Sequence, residues 1–296
     1  MEKVGIVFAT YNSAEYVESC LRSCLDQDYP EKVVVVSDDG STDNTVEVLR
    51  ECGKGRLELH IIELPHGERG IARAKAIEKA IEEGIDYLFI IDSDMVLKEG
   101  LIREAVGYLV EHKDIGGLVI PEIAYSEYKN FYSRVKVFER NVINDAGEEL
   151  GKNSIEAARF WRLSEYLSTG GINVGQIAFE ETQPTIRYVG SGGKIKRATF
   201  TGVYHNEKRV TLSNLVKKKR YYFSVMDKTL STEEGGTGKA LSRWYFFRPV
   251  LYRKANLKKY LRHPLLTLGM VWMYIVLTFV GAWELLKTKF KKRKDK

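Results

Sequence analysis

Short apolar runs alternate with amphipathic segments through the first part of this chain. The runs at residues 4–9, 32–37 and 87–91 contain almost no polar side chain, which is typical of strands buried on both faces. The segments between them carry apolar residues at helical spacing. This alternation predicts βαβ units, and therefore an α/β fold with a Rossmann-like, mostly parallel sheet flanked by helices.

The same pattern locates the individual elements. We predict strands at residues 4–9, 32–37, 57–63, 87–92 and 116–121. We predict helices at residues 14–26, 43–52, 69–83, 98–112, 126–143 and 211–229. The polar, glycine-containing stretches at 145–153 and 231–240 are predicted to be loops.

The longest apolar segment lies near the carboxyl end. Residues 265–283 are 19 residues without a charge, and about 20 such residues cross the hydrocarbon layer as a helix. Basic clusters flank this segment at residues 253–262 and in the tail 287–296. We therefore expect membrane association through a single crossing, a re-entrant segment or an in-plane helix, and partnering of the segment in an oligomer is another option. A buried core helix agrees less well with the basic flanks.

Charge is distributed unevenly along the chain. Residues 1–207 hold 24 Lys and Arg against 35 Asp and Glu, residues 208–286 hold 15 against 4, and the tail 287–296 holds 7 against 1. The acidic amino-terminal part argues against nucleic-acid binding. The basic part beside apolar sequence predicts contact with an anionic membrane surface.

Polar side chains follow three of the predicted strands. The strand-end segments are Thr10-Tyr11-Asn12, Asp38-Asp39 and Asp92-Ser93-Asp94. The carboxyl ends of parallel strands form the ligand-binding edge of an open α/β sheet, and Mg²⁺ is commonly held by one or two carboxylates together with substrate phosphates. We therefore predict that these residues line a site for a nucleoside diphosphate and for Mg²⁺ or Mn²⁺. The alternative for a single such motif is a solvated acidic loop.

The order of the motifs resembles that of family 2 glycosyltransferases with a GT-A fold. The matching segments are TYN at 10–12, SDDGSTDNT at 37–45, DSD at 92–94, SIEAARFW at 154–161, GG at 170–171 and VYHNE at 203–207. The resemblance covers roughly residues 1–230. It implies a UDP- or GDP-sugar donor, with Asp39 at the nucleobase, Asp92 at the ribose, Asp94 at the metal and His205 near the metal or diphosphate.

The resemblance also suggests a domain division. Residues 1–230 would form the GT-A catalytic domain, with a helix near 211–229 along the membrane face. Residues 231–296 would form the membrane-associated region, with the apolar helix 265–283 and the basic tail. Because nucleotide sugars are cytosolic, we expect the catalytic domain on the cytoplasmic side of the cell membrane. A full crossing would then place the basic tail outside, against the positive-inside tendency.

A basic helix follows Gly70, which resembles the glycine-rich turn of the family. Arg73 and Lys75 lie on this helix and would approach the donor. Lys75 stands where the family usually has arginine, so it would act as a point charge without the bidentate fork of arginine. A surface helix with solvated basic side chains is the alternative.

The segment 179–187 departs from the family pattern. The resemblance assigns the general base to Glu181, with Glu180 behind it, although the family usually has aspartate at the position of Glu181. Pro184 is expected to interrupt the helix that usually follows. Two surface carboxylates without a catalytic role are the alternative.

This departure favours an acceptor that needs no general base. A phosphate monoester is already anionic near neutral pH, because its second pKa is about 6. We therefore expect transfer of a sugar, with inversion, to a membrane lipid such as polyprenyl or dolichyl phosphate, bound by cations among Arg134, Arg140, Arg159, Lys219 and Arg220.

Three other functions stay open at this stage. One is transfer to a hydroxyl of a glycolipid or lipid-linked glycan, and another is an inactive, glycosyltransferase-like protein that binds nucleotide sugars at the membrane. The third, a nucleotidyltransferase, fits less well, because the segment after the first strand lacks a glycine-rich basic loop.

Overall fold

The computed structural model describes residues 2–67, 69–144, 156–174, 182–224, 246 and 248–294. Its contacts divide the chain into two compact units. The first unit comprises Met1–Ile123 and Gly147–His205, and the second comprises Ala124–Ala146 and Asn206–Lys296. The sequence-based boundary at 230/231 stays a prediction, because residues 225–245 lie outside the described ranges.

The secondary structure alternates as the sequence predicts. The strands are β1 Val4–Thr10, β2 Lys32–Asp38, β3 Leu59–Glu63, β4 Tyr87–Ile90, β5 Met95–Leu97, β6 Gly117–Val119, β7 Glu122–Tyr125, β8 Arg159–Arg162, β9 Ile195–Arg197 and β10 Val203–Asn206. The helices are α1 Val17–Leu25, α2 Thr45–Cys52, α3 Arg69–Glu82, α4 Leu101–Glu111, α5 Phe131–Asn144, α6 Leu163–Ser168, α7 Thr182–Gly190, α8 Leu212–Ser224, α9 Lys254–Arg262 and α10 Pro264–Lys294. A 3-10 turn, Pro249–Tyr252, precedes α9.

The first unit is built on a seven-stranded sheet with the order β3-β2-β1-β4-β8-β6-β9. Most neighbouring strands are parallel, and β8 is antiparallel to both β4 and β6. Apolar residues cover both faces of the sheet. On one face Ile6 and Phe89 pack in the same core as the helix residue Leu21, whereas on the other face Val7 and Leu88 share a core with helix α3. The predicted α/β architecture is therefore confirmed.

A second, small sheet lies directly after the Asp92-Ser93-Asp94 segment. Its order is β5-β10-β7. Strand β10 is antiparallel to β5, and His205 pairs with Met95. This register brings His205 to the residue that follows Asp94, although the two are distant in sequence.

The second unit contains α5, α8, α9 and α10, and Glu139 of α5 links this helix to α10 and to Arg248 before the 3-10 turn. Glu139 is buried and forms ion pairs with Lys136 and Arg248. It also accepts a hydrogen bond of 2.8 Å from the Tyr274 hydroxyl on α10. The Asn256 side chain donates to the Val250 carbonyl at 2.7 Å and so ties α9 to the preceding turn.

Helix α10 contains the apolar segment. Its part Pro264–Glu284 is long and apolar enough to cross a membrane by length and composition, and about 33% of its most apolar window is buried. Large apolar side chains on it are exposed, including Leu265, Leu268, Trp272 and Phe279. The helix is continuous from Pro264 to Lys294, and its arrangement at a membrane stays a prediction.

The expectation that Pro184 interrupts a helix is wrong. Pro184 lies in the first turn of α7, which begins at Thr182. The first N–H groups of a helix have no intrahelical acceptor, so a proline there removes no hydrogen bond. Helix α5 also begins later than predicted, at Phe131, because the preceding residues bond elsewhere: the Asn130 side chain donates to the Val210 carbonyl at 2.6 Å.

Candidate nucleotide and metal site

The strand order places the candidate site at the switch point of the sheet. From β1 the chain continues to β2 and β3 on one side, and then returns to β4 on the other side. A crevice forms outside the carboxyl ends of strands where the order reverses in this way. Thr10, Asp38 and Ile90 end the three strands concerned, so the predicted motifs share one edge.

Asn12 joins the loops that follow β1 and β2. Its backbone has a positive φ of 48°. Its side-chain Oδ1 accepts from the Thr42 N–H at 2.8 Å, and its own N–H donates to Ser41 Oγ at 2.8 Å. The carboxylate of Asp38 accepts from the Ser41 N–H at 2.8 Å and from Ser41 Oγ at 2.5 Å. Asn12 and the buried Asp38 therefore shape the loops, and their contact with a ligand stays a prediction.

Asp39 lies beside a stacked aromatic pair. Its Oδ1 accepts from the Gly67 N–H at 3.0 Å, and its Oδ2 lies 3.2 Å from His66 Nδ1. The ring of Tyr11 stacks on His66 with centroids 4.2 Å apart, and Tyr11 is 42% exposed. A flat, accessible ring next to a fixed carboxylate suits a nucleobase, which stacks through its face and donates through its edge.

Gly40 holds this edge in shape, and the Thr10 hydroxyl is a polar group available to a ligand there. Gly40 has φ 73°, and a Cβ on it would lie 2.5 Å from the His66 backbone N, so only glycine fits there. The Thr10 hydroxyl is buried without a hydrogen-bond partner among the described residues. Buried polar atoms are normally paired, and a ligand at this edge would supply the missing partner.

Asp92 is oriented by Arg73. The Arg73 guanidinium is 1% exposed and forms an ion pair with the Asp92 carboxylate, which stays 23% exposed. A turn follows, closed by the Met95 N–H donating to the Asp92 carbonyl at 3.1 Å, and Ser93 lies half-buried within it. Lys75 does not take part in this arrangement: it is half exposed and pairs with Glu78 at 2.6 Å.

Asp94 faces a histidine that is itself held by a buried carboxylate. His205 Nε2 lies 3.5 Å from Asp94 Oδ1, and His205 Nδ1 lies 2.8 Å from Glu122 Oε2. The Glu122 side chain is 0% exposed, and its other oxygen accepts from the Ala157 N–H at 2.5 Å. A histidine that donates from Nδ1 to a carboxylate presents the lone pair of Nε2 in a fixed direction, as histidine ligands of metals do.

The carboxylate behind His205 belongs to a longer buried network. The Glu122 N–H donates to Glu156 Oε1 at 3.0 Å. Glu156 in turn holds the Arg197 guanidinium through two bonds, of 2.9 Å and 2.7 Å. Charge-assisted, bidentate pairs of this kind are strong and geometrically specific, so the position of Glu122 and hence of His205 is well determined.

The donor set at Asp94 and His205 fits a divalent cation that is shared with a diphosphate. Within the described ranges, no group of three or more His, Cys, Asp and Glu side chains forms a metal site by itself. Mg²⁺ and Mn²⁺ accept oxygen ligands from substrate phosphates and water. One carboxylate and one oriented imidazole are thus a sufficient protein contribution when a nucleotide supplies the rest.

The predicted acceptor residues have different surroundings. In the first unit Arg159 is 0% exposed and donates to the Ala158 carbonyl and to Thr185 Oγ1. This structural role replaces the predicted contact with an acceptor, because no part of its side chain is accessible. In the second unit, Arg140 pairs with Glu207 at 2.7 Å.

The remaining predicted acceptor residues lie in the second unit. Lys219 is half-buried, and desolvation together with Arg248 lowers the pKa of its amine to about 8. Arg220 lies 3.6 Å from the Glu284 carboxylate. Arg134 is exposed on α5. The predicted bases Glu180 and Glu181 lie outside the described residues.

Sequence reasoning missed two residues of the site. Glu122 carries no local signal, because a single glutamate after Pro121 looks like any loop carboxylate. His66 follows β3, one of the strands that lead to this edge. This place after a strand is the only feature of the sequence that could have assigned His66 to the site. Both enter the site through contacts between segments that are far apart in sequence.

The comparisons with known proteins agree with this architecture. The family model described as glycosyl transferase family 2 matches residues 5–161, and the chain belongs to this family. The matched region contains β1, β2 and β4 with the three strand-end motifs.

Two curated relatives match part of the chain. Glycosyltransferase GlyG of Streptococcus pneumoniae is 31% identical over 134 residues, which are 44% of this chain and 43% of GlyG. The poly(ribitol-phosphate) beta-N-acetylglucosaminyltransferase TarS of Staphylococcus aureus is 28% identical over 138 residues, which are 43% of this chain and 24% of TarS. The alignments thus span less than half the length of either relative.

Two solved structures share the fold over most of the chain. TarS 1-349 in complex with UDP-GlcNAc has a TM-score of 0.56 at 17% identity, covering 93% of this chain and 81% of that one. Mannosyltransferase PcManGT from Pyrobaculum calidifontis, in complex with GDP-Man and Mn²⁺, has a TM-score of 0.56 at 18% identity, covering 96% and 75%. The likeness establishes the α/β GT-A fold.

Proposed function

We propose that this chain is a metal-dependent, inverting glycosyltransferase that takes a sugar from a nucleoside diphosphate sugar. The observation that carries the proposal is the pairing of Asp94 with His205, whose imidazole is oriented by Glu122, at the switch point of the sheet. The exposed ring of Tyr11 and the carboxylate of Asp39, which suit a nucleobase, lie at the same edge. Membership of family 2 and the nucleotide sugars named for the two solved relatives support this choice.

Each group at the edge has a defined part in the reaction. Asp39 and the Tyr11 ring bind the base, and Asp92, held by Arg73, binds the ribose. Asp94 and His205 would hold Mg²⁺ or Mn²⁺. A divalent cation bound there supplies Lewis-acid stabilisation of the negative charge that develops on the leaving phosphate.

The acceptor that we propose is a membrane lipid phosphate such as polyprenyl or dolichyl phosphate. Its support is the apolar helix α10, the basic carboxyl-terminal part and the replacement of the usual aspartate by Glu181. A phosphate monoester needs neutralising cations more than a base, because it already carries negative charge near pH 7. We place the catalytic domain on the cytoplasmic side of the cell membrane, where nucleotide sugars occur.

Donor binding can be tested by thermal shift with UDP and GDP sugars, each with and without Mn²⁺. We expect one diphosphate class to stabilise the protein in a Mn²⁺-dependent way. In Asp94→Asn the Mn²⁺-dependent part of this thermal stabilisation should disappear. Asp114→Asn is the matched control, because Asp114 forms an exposed ion pair with Lys194. Equal responses of the two variants would contradict the assignment of the metal site.

Glu181→Gln separates the two classes of acceptor. Near-complete retention of product formation supports a phosphate acceptor, whereas complete loss supports a hydroxyl acceptor on a glycolipid or lipid-linked glycan. An inactive nucleotide-sugar-binding protein would show neither transfer nor Mn²⁺-dependent hydrolysis of the donor. The proposal of an enzyme fails if the bound donor stays intact in membranes that contain polyprenyl phosphates and lipid-linked glycans.

A further inference from the structure

The second unit contains a cleft of about 510 Å³ that is not part of the candidate nucleotide and metal site. Its cationic lining consists of Arg134 from α5 and Lys259 from α9, and His263 lines it at the junction between α9 and α10. No aspartate or glutamate lines it among the described residues. The cleft is therefore selective for anions by charge alone.

Arg134 differs from the other cations of its helix. Lys136 and Arg140 are both neutralised, by Glu139 and Glu207 respectively. Arg134 is exposed, and no carboxylate of the described ranges forms an ion pair with it. Its guanidinium fork matches the geometry of phosphate oxygens. Because two of the three cations on one helix are paired and the third faces the cleft, this charge is available to a ligand.

The cleft also has hydroxyl and apolar parts. Tyr125, Ser126 and Tyr128 bring hydroxyl groups to the lining, while Phe138 and Leu266 bring apolar side chains. The His263 ring packs edge-on against Phe138, with centroids 5.7 Å apart. Cations and hydroxyls next to apolar surface suit a ligand with a charged head and a hydrocarbon part.

The position of the cleft along the chain indicates where such a ligand is found. His263 directly precedes α10, and Leu266 belongs to its first turn. The exposed apolar side chains of α10, including Leu265, Leu268, Trp272 and Phe279, lie along one side of the helix, while its Tyr274 bonds to the buried Glu139 of α5. When that exposed side rests in a membrane surface, the first turn of α10 is at the level of the lipid headgroups, and the cleft with it.

We propose that this cleft binds the phosphomonoester headgroup of a membrane lipid. A monoester phosphate carries nearly two negative charges at pH 7, which match the cationic lining, whereas a choline headgroup would add a cation that meets no carboxylate in the described lining. The assignment goes beyond the transfer reaction, because it concerns how the second unit holds lipid and stands whether or not that lipid is the acceptor.

The experiment is co-sedimentation of the full chain with phosphatidylcholine vesicles, with and without phosphatidic acid. The cleft variants are Arg134→Gln and Lys259→Gln, and the matched control is Lys258→Gln, an exposed cation of the same helix that does not line the cleft. Loss of one ordinary surface cation reduces affinity for an anionic membrane by about fivefold. Loss of a charge-assisted hydrogen bond reduces it by about tenfold or more.

We expect both cleft variants to lose binding to phosphatidic acid vesicles by about tenfold or more, and Lys258→Gln to lose no more than about fivefold. Equal losses in all three variants would overturn the proposal in favour of diffuse surface charge. Competition by inorganic phosphate as effective as that by phosphatidic acid would overturn it in favour of a site for free phosphate. Lys259 also donates to the Asn141 carbonyl at 3.3 Å, so Lys259→Gln can disturb the fold. If Lys259→Gln is misfolded, the vesicle binding of Arg134→Gln alone decides the test.

The outcome is separable from that of the proposed function. Asp94→Asn should bind phosphatidic acid vesicles like the unmodified chain, and Arg134→Gln should keep the Mn²⁺-dependent thermal shift with the nucleotide sugar. Loss of vesicle binding in Asp94→Asn would contradict the independence of the cleft.

Discussion

Removal of the Glu139 carboxylate is the sharpest test of the packing in the second unit. Burial alone would raise the pKa of this carboxyl, but Lys136 and Arg248, with the hydrogen bonds from Lys136 and Tyr274, outweigh that effect and lower the pKa to about 2. The ordinary value is 4.5. Because each pKa unit corresponds to about 1.4 kcal/mol, the ionised form stabilises the fold by on the order of 3 kcal/mol near neutral pH.

The sign of the pH dependence follows from the lowered pKa. The folded protein binds the proton of Glu139 less readily than the unfolded chain does. The stabilisation is therefore complete above about pH 4.5 and is lost as pH falls from there towards 2. Glu139→Gln removes this titration together with the ion pairs that Glu139 forms with Lys136 and with the partly exposed Arg248.

The assay is denaturant unfolding of the purified chain in detergent, followed by tryptophan fluorescence between pH 3 and 7. Three of the four tryptophans lie in residues 206–296, so the signal reports mainly on the second unit. Glu139→Gln should lower the free energy of unfolding by about 3 kcal/mol at pH 7, and by less at pH 3.

The chain offers a control with the same geometry. Lys75 and Glu78 have the same spacing and the same 2.6 Å separation as Lys136 and Glu139, but they are 50% and 57% exposed instead of 23% and 1%. Glu78→Gln should leave the free energy of unfolding almost unchanged, because surface ion pairs contribute little. An equal effect of both substitutions, or a loss in Glu139→Gln that does not change with pH, would refute the reasoning.

Three further predictions concern single positions. Glu122→Gln should weaken Mn²⁺ binding in the presence of nucleotide about tenfold or more, as loss of a partner behind a metal-ligating histidine does; Mn²⁺ electron paramagnetic resonance measures this. Gly40→Ala should abolish nucleotide binding in titration calorimetry, because its Cβ would collide with the His66 backbone. Gly269→Leu should destabilise the second unit by about 1–3 kcal/mol, measured by denaturant unfolding, because a Cβ at Gly269 would already lie 2.7 Å from Phe131 and Val135.

Control variants make these outcomes decisive. Gly55→Ala shares the positive φ of Gly40 but has open space around it, and Gly107→Leu adds a side chain to a helix without any neighbour within 4 Å. Gly55→Ala should bind nucleotide like the unmodified chain, and Gly107→Leu should not lower the free energy of unfolding. For Glu122→Gln, unchanged Mn²⁺ affinity would show that His205 does not ligate the cation through Nε2.

The strands that carry the site were predictable because they are buried on both faces. Every residue of β4 is buried, and only one residue in each of β1 and β2 is even partly exposed. A strand of this kind needs an unbroken apolar run, which stands out in the sequence. The polar residues immediately after the run then mark the edge of the sheet, so the positions of Thr10, Asp39 and Asp94 followed from the pattern.

The short strands were not predictable for the opposite reason. Strands β5, β7 and β10 are three or four residues long, which is too short to show a period. They exist because each pairs with a partner that is distant in the chain. The contact between His205 and Glu122 joins residues 83 positions apart, and only the register of these strands creates it.

The two aspartates of the Asp92-Ser93-Asp94 segment form one motif in the sequence but have different partners in the structure. Asp92 is paired with Arg73, whose guanidinium keeps its charge at any physiological pH. Asp94 faces His205, and an imidazole that acts as a metal ligand is neutral. The first carboxylate is thus compensated inside the protein, whereas the second would contribute its negative charge to the cation of the proposed reaction.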